Sequence, residues 1–121
     1  MNKEFVTYEQ ALALKELGFD EDCLKMAMSE VDIINAERTD EGDYPKNSDL
    51  YSRWVAVPIY SQAFRWFREK YRLYPIIDSF VGVKGVVKFF YKLPMYDETF
   101  NTYEEAEQAC LDKLIEICKN K

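Results

Sequence analysis

The chain has 121 residues, with a net charge of −6, 16% aromatic and 48% hydrophobic side chains. That is enough apolar material for a real core and too much for a disordered chain. No stretch reaches the ~18 apolar residues of a membrane span, and the first 19 residues hold no long apolar run, so neither a membrane helix nor a secretory signal is expected.

The chain reads as one small α+β domain over residues 1–121. A helix is expected at residues 8–17, with Thr7 and Gln10 as a capping box, Ala11, Leu12, Leu14 and Leu17 as its apolar residues, and Gly18 as the left-handed residue that ends it. Residues 23–35 fit two patterns. Leu24, Ala27, Met28, Val31 and Ile34 suit a helical face, which local propensity slightly favours; Leu24, Met26 and Met28 followed by Val31 and Ile33 suit two short strands turning at Ser29 and Glu30. Residues 37–53 form a polar connection, with turn chemistry at residues 41–43 and 45–48. Its acidic residues Asp40, Glu41 and Asp43 fail as a calcium loop. With Gly42 at loop position 6, Ser48 falls where a bidentate glutamate is required. Trp54-Val55-Ala56-Val57 then leads into the next helix.

That helix, within residues 58–72, is the centre of the expected fold. Pro58 suits its first position, and Tyr60, Ala63, Phe64, Phe67 and Tyr71 fall on one arc, widened by Ile59 and Trp66. Arg65, Arg68 and Arg72, at i, i+3 and i+7, share the opposite stripe. A β-hairpin is expected from strands at 74–81 and 86–93 around the turn 82–85. Val87, Phe89, Tyr91 and Leu93 are assigned to the core face, Lys88 and Lys92 to water or a partner, and Pro94 closes the strand. The last helix opens on a second capping box, Thr102 with Glu105, and buries Tyr103, Ala106, Cys110, Leu114, Ile117 and Cys118. Glu104, Glu105 and Glu107 near its start, with Lys119 and Lys121 near its end, complement the helix dipole.

Chemistry is sparse. There is no histidine, which removes the commonest general base, the commonest zinc ligand and any histidine-based triad. Ser52, Ser61 and Ser79 lack a nucleophile-elbow context, and residues 82–85 lack the spacing of a phosphate loop. Nothing singles out two of the 22 acidic residues as a catalytic pair. Cys110 and Cys118 stand two helical turns apart, about 12 Å by the helical rise, too far to bridge; with Cys23 they read as reduced, buried thiols. No catalytic residue, cofactor or metal ligand is assigned, and the protein is expected not to be an enzyme.

Charge is unevenly spread: residues 1–52 balance at −8, residues 53–92 at +6 and residues 93–121 at −4. Two functions fit. In the first, the protein is a cytoplasmic binding or adaptor module for another protein, or for a second copy of itself. Its candidate surface is Trp54, Arg65, Trp66, Arg68, Arg72, Lys88 and Lys92, because Arg and Trp anchor interfaces. In the alternative, the basic, aromatic residues 53–92 bind nucleic acid, with phosphate contacts from these cations, Arg53 and Lys84, and stacking on Trp54 or Tyr74. A sequence pI near 4.7 speaks against it.

Three segments together, VTYEQALALKELGFDE (6–21), PIYSQAFRWFREKYRLY (58–74) and NTYEEAEQACLDKLIEICKNK (101–121), resemble a family of small uncharacterised proteins encoded by bacteriophages and mobile elements of gut bacteria. The resemblance implies an α-β-β-α-β-β-α order, with two hairpins packed on helices, and so a hairpin rather than a helix at residues 23–35. It implies no activity.

Overall fold

The computed structural model describes residues 3–38, 42–51, 53–93 and 98–120. The turn expected at 41–43, the acidic residues Asp40 and Glu41, Ser52, Pro94 and Lys121 therefore lie wholly or partly outside the described residues. The fold is α+β, with three α-helices and two small antiparallel sheets, and its order matches the expectation except for one added strand. By its internal contacts the chain forms two compact units, residues 1–63 and residues 64–121.

The first unit begins with α1, Tyr8–Glu16. The capping box is present: Thr7 Oγ1 accepts from the Gln10 amide at 3.1 Å and Gln10 Oε1 accepts from the Thr7 amide at 3.0 Å. Gly18 has φ 99°, the left-handed geometry that lets the chain turn off the helix. The residues 23–35 do form a hairpin, β1 (Lys25–Ala27) against β2 (Ile33–Asn35), with Met26 opposite Ile34. Ser29 closes its turn by accepting from the amides of Val31 and Asp32. Helix propensity loses here because the helical alternative has no buried stripe to satisfy: of these residues only Cys23 and Ala27 are buried.

The added strand is β3, Val55–Val57, which pairs antiparallel with β1 and gives the sheet order β2-β1-β3. The approach to the helix is thus a fully buried strand, and α1 packs on it. Helix α2 is Tyr60–Tyr71, so Pro58 is not its first residue. Pro58 is buried in the strand exit instead, where its carbonyl accepts from the Val6 amide at 3.0 Å.

One buried polar side chain ties this unit together. Asn47, in a short 3-10 turn (Asn47–Asp49), is 8% exposed. Its Nδ2 donates to the Phe19 carbonyl at 2.8 Å and its Oδ1 accepts from the Ala56 amide at 2.8 Å. The amide joins the segment after α1 to strand β3, giving one backbone carbonyl a donor and one backbone amide an acceptor. Gln10 plays a similar part: its Oε1 also accepts from the Tyr60 hydroxyl at 2.9 Å.

The second unit holds the remainder of α2, the hairpin β4 (Ile76–Val81) with β5 (Val87–Lys92), and α3 (Tyr103–Lys119). The β4–β5 register runs from Ile76 opposite Lys92 to Val81 opposite Val87. The turn is closed by Gly82 N–H to Val86 O at 2.8 Å, with Gly85 at φ 74°. Helix α3 packs on both strands. Its Thr102 cap accepts from the Glu105 amide, but the expected reciprocal bond to backbone is replaced by a side-chain one, Thr102 Oγ1 to Glu105 Oε1 at 3.0 Å. The buried face is also rotated from the expected one. Ala106, Cys110, Leu111, Leu114, Ile115 and Cys118 are buried, whereas Tyr103 is exposed and Ile117 half-buried.

Removing the Asn47 amide takes a hydrogen bond from the Phe19 carbonyl and another from the Ala56 amide, at roughly 0.5–1.5 kcal/mol each. Asn47→Ala is therefore expected to destabilise the protein by about 2 kcal/mol in urea denaturation. Asn47→Asp should also be destabilised at neutral pH, because a carboxylate cannot donate to the Phe19 carbonyl.

Candidate functional site

Of the seven candidate surface residues, Trp54 lies in residues 1–63 and the other six in residues 64–121. Trp54 is half-buried; its carbonyl accepts from Lys15 Nζ at 3.3 Å. Trp66 is buried, at 7% exposure, edge-on to Phe67 and Tyr71 with ring centroids 5.0 and 5.6 Å away. It is a packing residue, and its indole does not offer an exposed anchor. The physical reason is the width of the apolar arc: Phe64, Trp66 and Phe67 are all buried, so Trp66 lies within the buried face.

The arginine stripe is shorter than expected. Arg65 and Arg68 are exposed on α2, and Arg65 Nε lies 3.9 Å from Glu69 Oε1, a pair of little energetic weight in water. Arg72 is not on the stripe, because α2 ends at Tyr71. Arg72 takes φ 58°, and among the described residues it alone of the non-glycine residues has positive φ. The left-handed backbone costs a side-chain-bearing residue roughly 1–2 kcal/mol. Just beyond it, the Leu73 amide reaches back to the Phe67 carbonyl at 3.4 Å.

Both hairpin lysines have local contacts. Lys88 Nζ donates to Asn101 Oδ1 at 2.6 Å, and Lys92 Nζ lies 5.7 Å from the centre of the Phe90 ring. The expected inward and outward faces of β5 are not kept. Phe90 is its buried residue, while Phe89 and Tyr91 are half-buried and Val87 is exposed. Aromatic contacts lie on both faces of the hairpin: Phe89 meets Tyr103 and Tyr91 stacks on Phe100, whereas Phe90 meets Phe80 from the other side.

Two features were not anticipated. The first is the apolar exterior of the hairpin. Ile76, Phe80, Val81, Val83, Val86 and Val87 are all exposed, Val81 at 69%. Phe100 pairs with β5 through Phe89, but among the described residues β4 pairs only with β5, so its other edge is unpaired. The second is a concavity of about 400 Å³ where α2 hands over to β4. Its wall is Leu73, Tyr74, Ile76, Leu93 and Ile117, and Arg72 and Lys92 supply two cations. Among the described residues no acidic side chain lines it. The clustering of valines at 81, 83, 86 and 87 is visible in the sequence, but their exposure is not, and Val87 is expected there on the core face; the concavity is not legible either, since its lining is drawn from residues 72 to 117.

Among the described residues no cluster of three or more Cys, Asp or Glu is placed to hold a metal ion, and no helix is long and apolar enough to cross a membrane. Cys23, Cys110 and Cys118 are buried free thiols. Burial, with the nearby carboxylates of Glu21 and Asp22, pushes Cys23 up to about 12; burial and then Glu107 do the same to Cys110, also to about 12. These thiols are the opposite of activated nucleophiles.

Arg72→Gly is expected to stabilise the fold by about 1 kcal/mol, because glycine accepts the left-handed backbone freely; a thermal melt reads it. The two raised thiols set a pH dependence. An unfolded thiol ionises near 9 and the folded ones near 12. Their contribution is therefore complete below pH 9 and is lost as pH rises towards 12, by up to about 1.4 kcal/mol per pH unit for each thiol. Urea midpoints measured across that alkaline range should fall more steeply for the native chain than for a Cys23→Ala, Cys110→Ala variant.

No protein-family model, no curated protein and no solved structure matches this chain.

Proposed function

We propose that the protein is a non-enzymatic binding module that recognises another protein through the β4–β5 hairpin, in the cytoplasm and in the phage or mobile-element setting that its sequence resemblance suggests. The observation that carries this reading is the conjunction of an exposed apolar hairpin with a strand edge that is unpaired among the described residues. An exposed edge is a template for a further strand, and natural proteins ordinarily blunt it with charge, proline or a bulge. β4 has one charged residue, Asp78, between Ile76, Ile77, Phe80 and Val81. Main-chain bonding along such an edge supplies affinity, and side chains on either face supply choice of partner.

The nucleic-acid reading draws on Arg65, Arg68 and Arg72, all exposed, and on the +6 balance of residues 53–92. It gives no account of the apolar hairpin, and Trp66, an aromatic between two of these arginines, is buried.

A charge pair placed on the hairpin separates the two readings. Val81 and Val87 are cross-strand neighbours, so Val81→Glu with Val87→Lys removes apolar surface while opposite charges hold the strands together. The double variant is expected to keep its fold by circular dichroism. It should lose at least about tenfold in affinity for a partner captured by the native protein. Native protein should show no binding to labelled single- or double-stranded oligonucleotides at low salt. Micromolar oligonucleotide binding that disappears as salt rises, and disappears in Arg65→Glu with Arg68→Glu, would reverse the assignment.

A further inference from the structure

We propose that the concavity beside β4 is a carboxylate subsite, which receives the free C terminus of an extended apolar segment laid antiparallel along β4. The inference rests on the hairpin-binding reading and names the chemistry of the partner.

Direction and charge together select this occupant. β4 starts at Ile76, a residue that also lines the concavity, and runs away from it to Val81. A strand added antiparallel therefore finishes, C terminus first, at the concavity. A strand added parallel would bring its N-terminal ammonium to the same place. Among the described residues the concavity presents Arg72 and Lys92 and no carboxylate, a lining that favours a carboxylate over an ammonium. A guanidinium is suited to gripping a planar carboxylate by two parallel bonds.

The strained residue points the same way. Glycine would take φ 58° at no cost, yet the position holds arginine. A costly backbone conformation that carries a side chain to a concavity is grounds for assigning that side chain a role. Arg72 has no acidic partner among the described residues, so its charge is available.

The walls decide between anions. Leu73, Tyr74, Ile76, Leu93 and Ile117 make an apolar lining. A chain terminus brings a carboxylate and an apolar last side chain together, matching both cations and walls. A nucleic-acid phosphate is flanked on both sides by sugars and brings no apolar end. A lining volume of about 400 Å³ is at the scale of sites that enclose a small group rather than a whole chain.

The test is an array of short, N-terminally labelled peptides whose last positions are varied over valine, isoleucine, leucine, phenylalanine and threonine. Each is made with a free carboxylate and as its C-terminal amide, and binding is read by fluorescence anisotropy. Free-acid peptides are expected to bind and their amides to bind about tenfold more weakly, the size of one lost charge-assisted bond. Arg72→Gly, which preserves the backbone, and Lys92→Gln should each cost the free acids a similar factor and leave the amides unchanged. Lys119→Gln should change neither. Equal binding of acids and amides, abolished by Val81→Glu with Val87→Lys, would overturn the carboxylate subsite while leaving the hairpin reading intact. Absence of binding across the whole array, with a partner still captured through the hairpin, would overturn it as well. Oligonucleotide binding that is lost in Arg72→Gly would overturn both.

Discussion

A two-stranded antiparallel sheet has no interior strand: each of its strands is an edge, and neither face is covered unless something else covers it. The β4–β5 hairpin lives under this constraint. Helix α3 packs on the strands, and Phe100 bonds to Phe89 on the outer side of β5. Those contacts leave the outer side of β4 and the turn, where Val81, Val83 and Val86 stand in solvent. Among the described residues no third strand covers that edge. Strand β4 carries one aspartate and no lysine or proline, so it has little of the chemistry that ordinarily blunts an edge.

The residues around the hairpin extend the same logic. α2 stops at Tyr71, and Arg72 turns the chain in a conformation that glycine would take more easily. That turn sets Leu73 and Tyr74 beside Ile76 and brings Arg72 to the same concavity as Lys92. Positive charge in the middle of the chain is thus partly gathered at the start of one strand. The first unit achieves stability by different means. Its segments are tied by side-chain amides: Asn47 bonds Phe19 and strand residue Ala56, and Gln10 bonds the Tyr60 hydroxyl at the start of α2. Buried amides of this kind specify one arrangement, because any slip leaves their partners without bonds.

Much of the architecture was legible. Thr7 with Gln10 and Thr102 with Glu105 located two helix starts, Gly18 one helix end, and Gly82 with Gly85 the hairpin turn, because each is a local rule read over a few residues. What was not legible depended on distant partners. Val55–Val57 has no alternation, so a buried strand and a mere lead-in look alike until its pairing with Lys25–Ala27 is known. Asn47 sits in a polar run, and only its bonds to Phe19 and Ala56 separate it from a solvated turn residue. Phe89 and Phe90 are adjacent aromatics, and alternation could not choose the buried one when both faces of the hairpin are partly covered. Arg72 is a different case. Pro75, three residues on, biases the chain before it away from helix, and that signal could have taken Arg72 off the stripe. The concavity was out of reach, since its walls come from segments that only folding brings together.

The central claim is that the exposed side of the hairpin is a protein-contacting surface. It is tested most directly by placing a photo-crosslinking amino acid at Val83, at the hairpin turn, and a second at Arg65, on the exposed side of α2, and irradiating cells that make each variant. The account predicts a discrete protein adduct from position 83 and none of the same mass from position 65. A nucleic-acid adduct from position 65, with nothing from position 83, would contradict it.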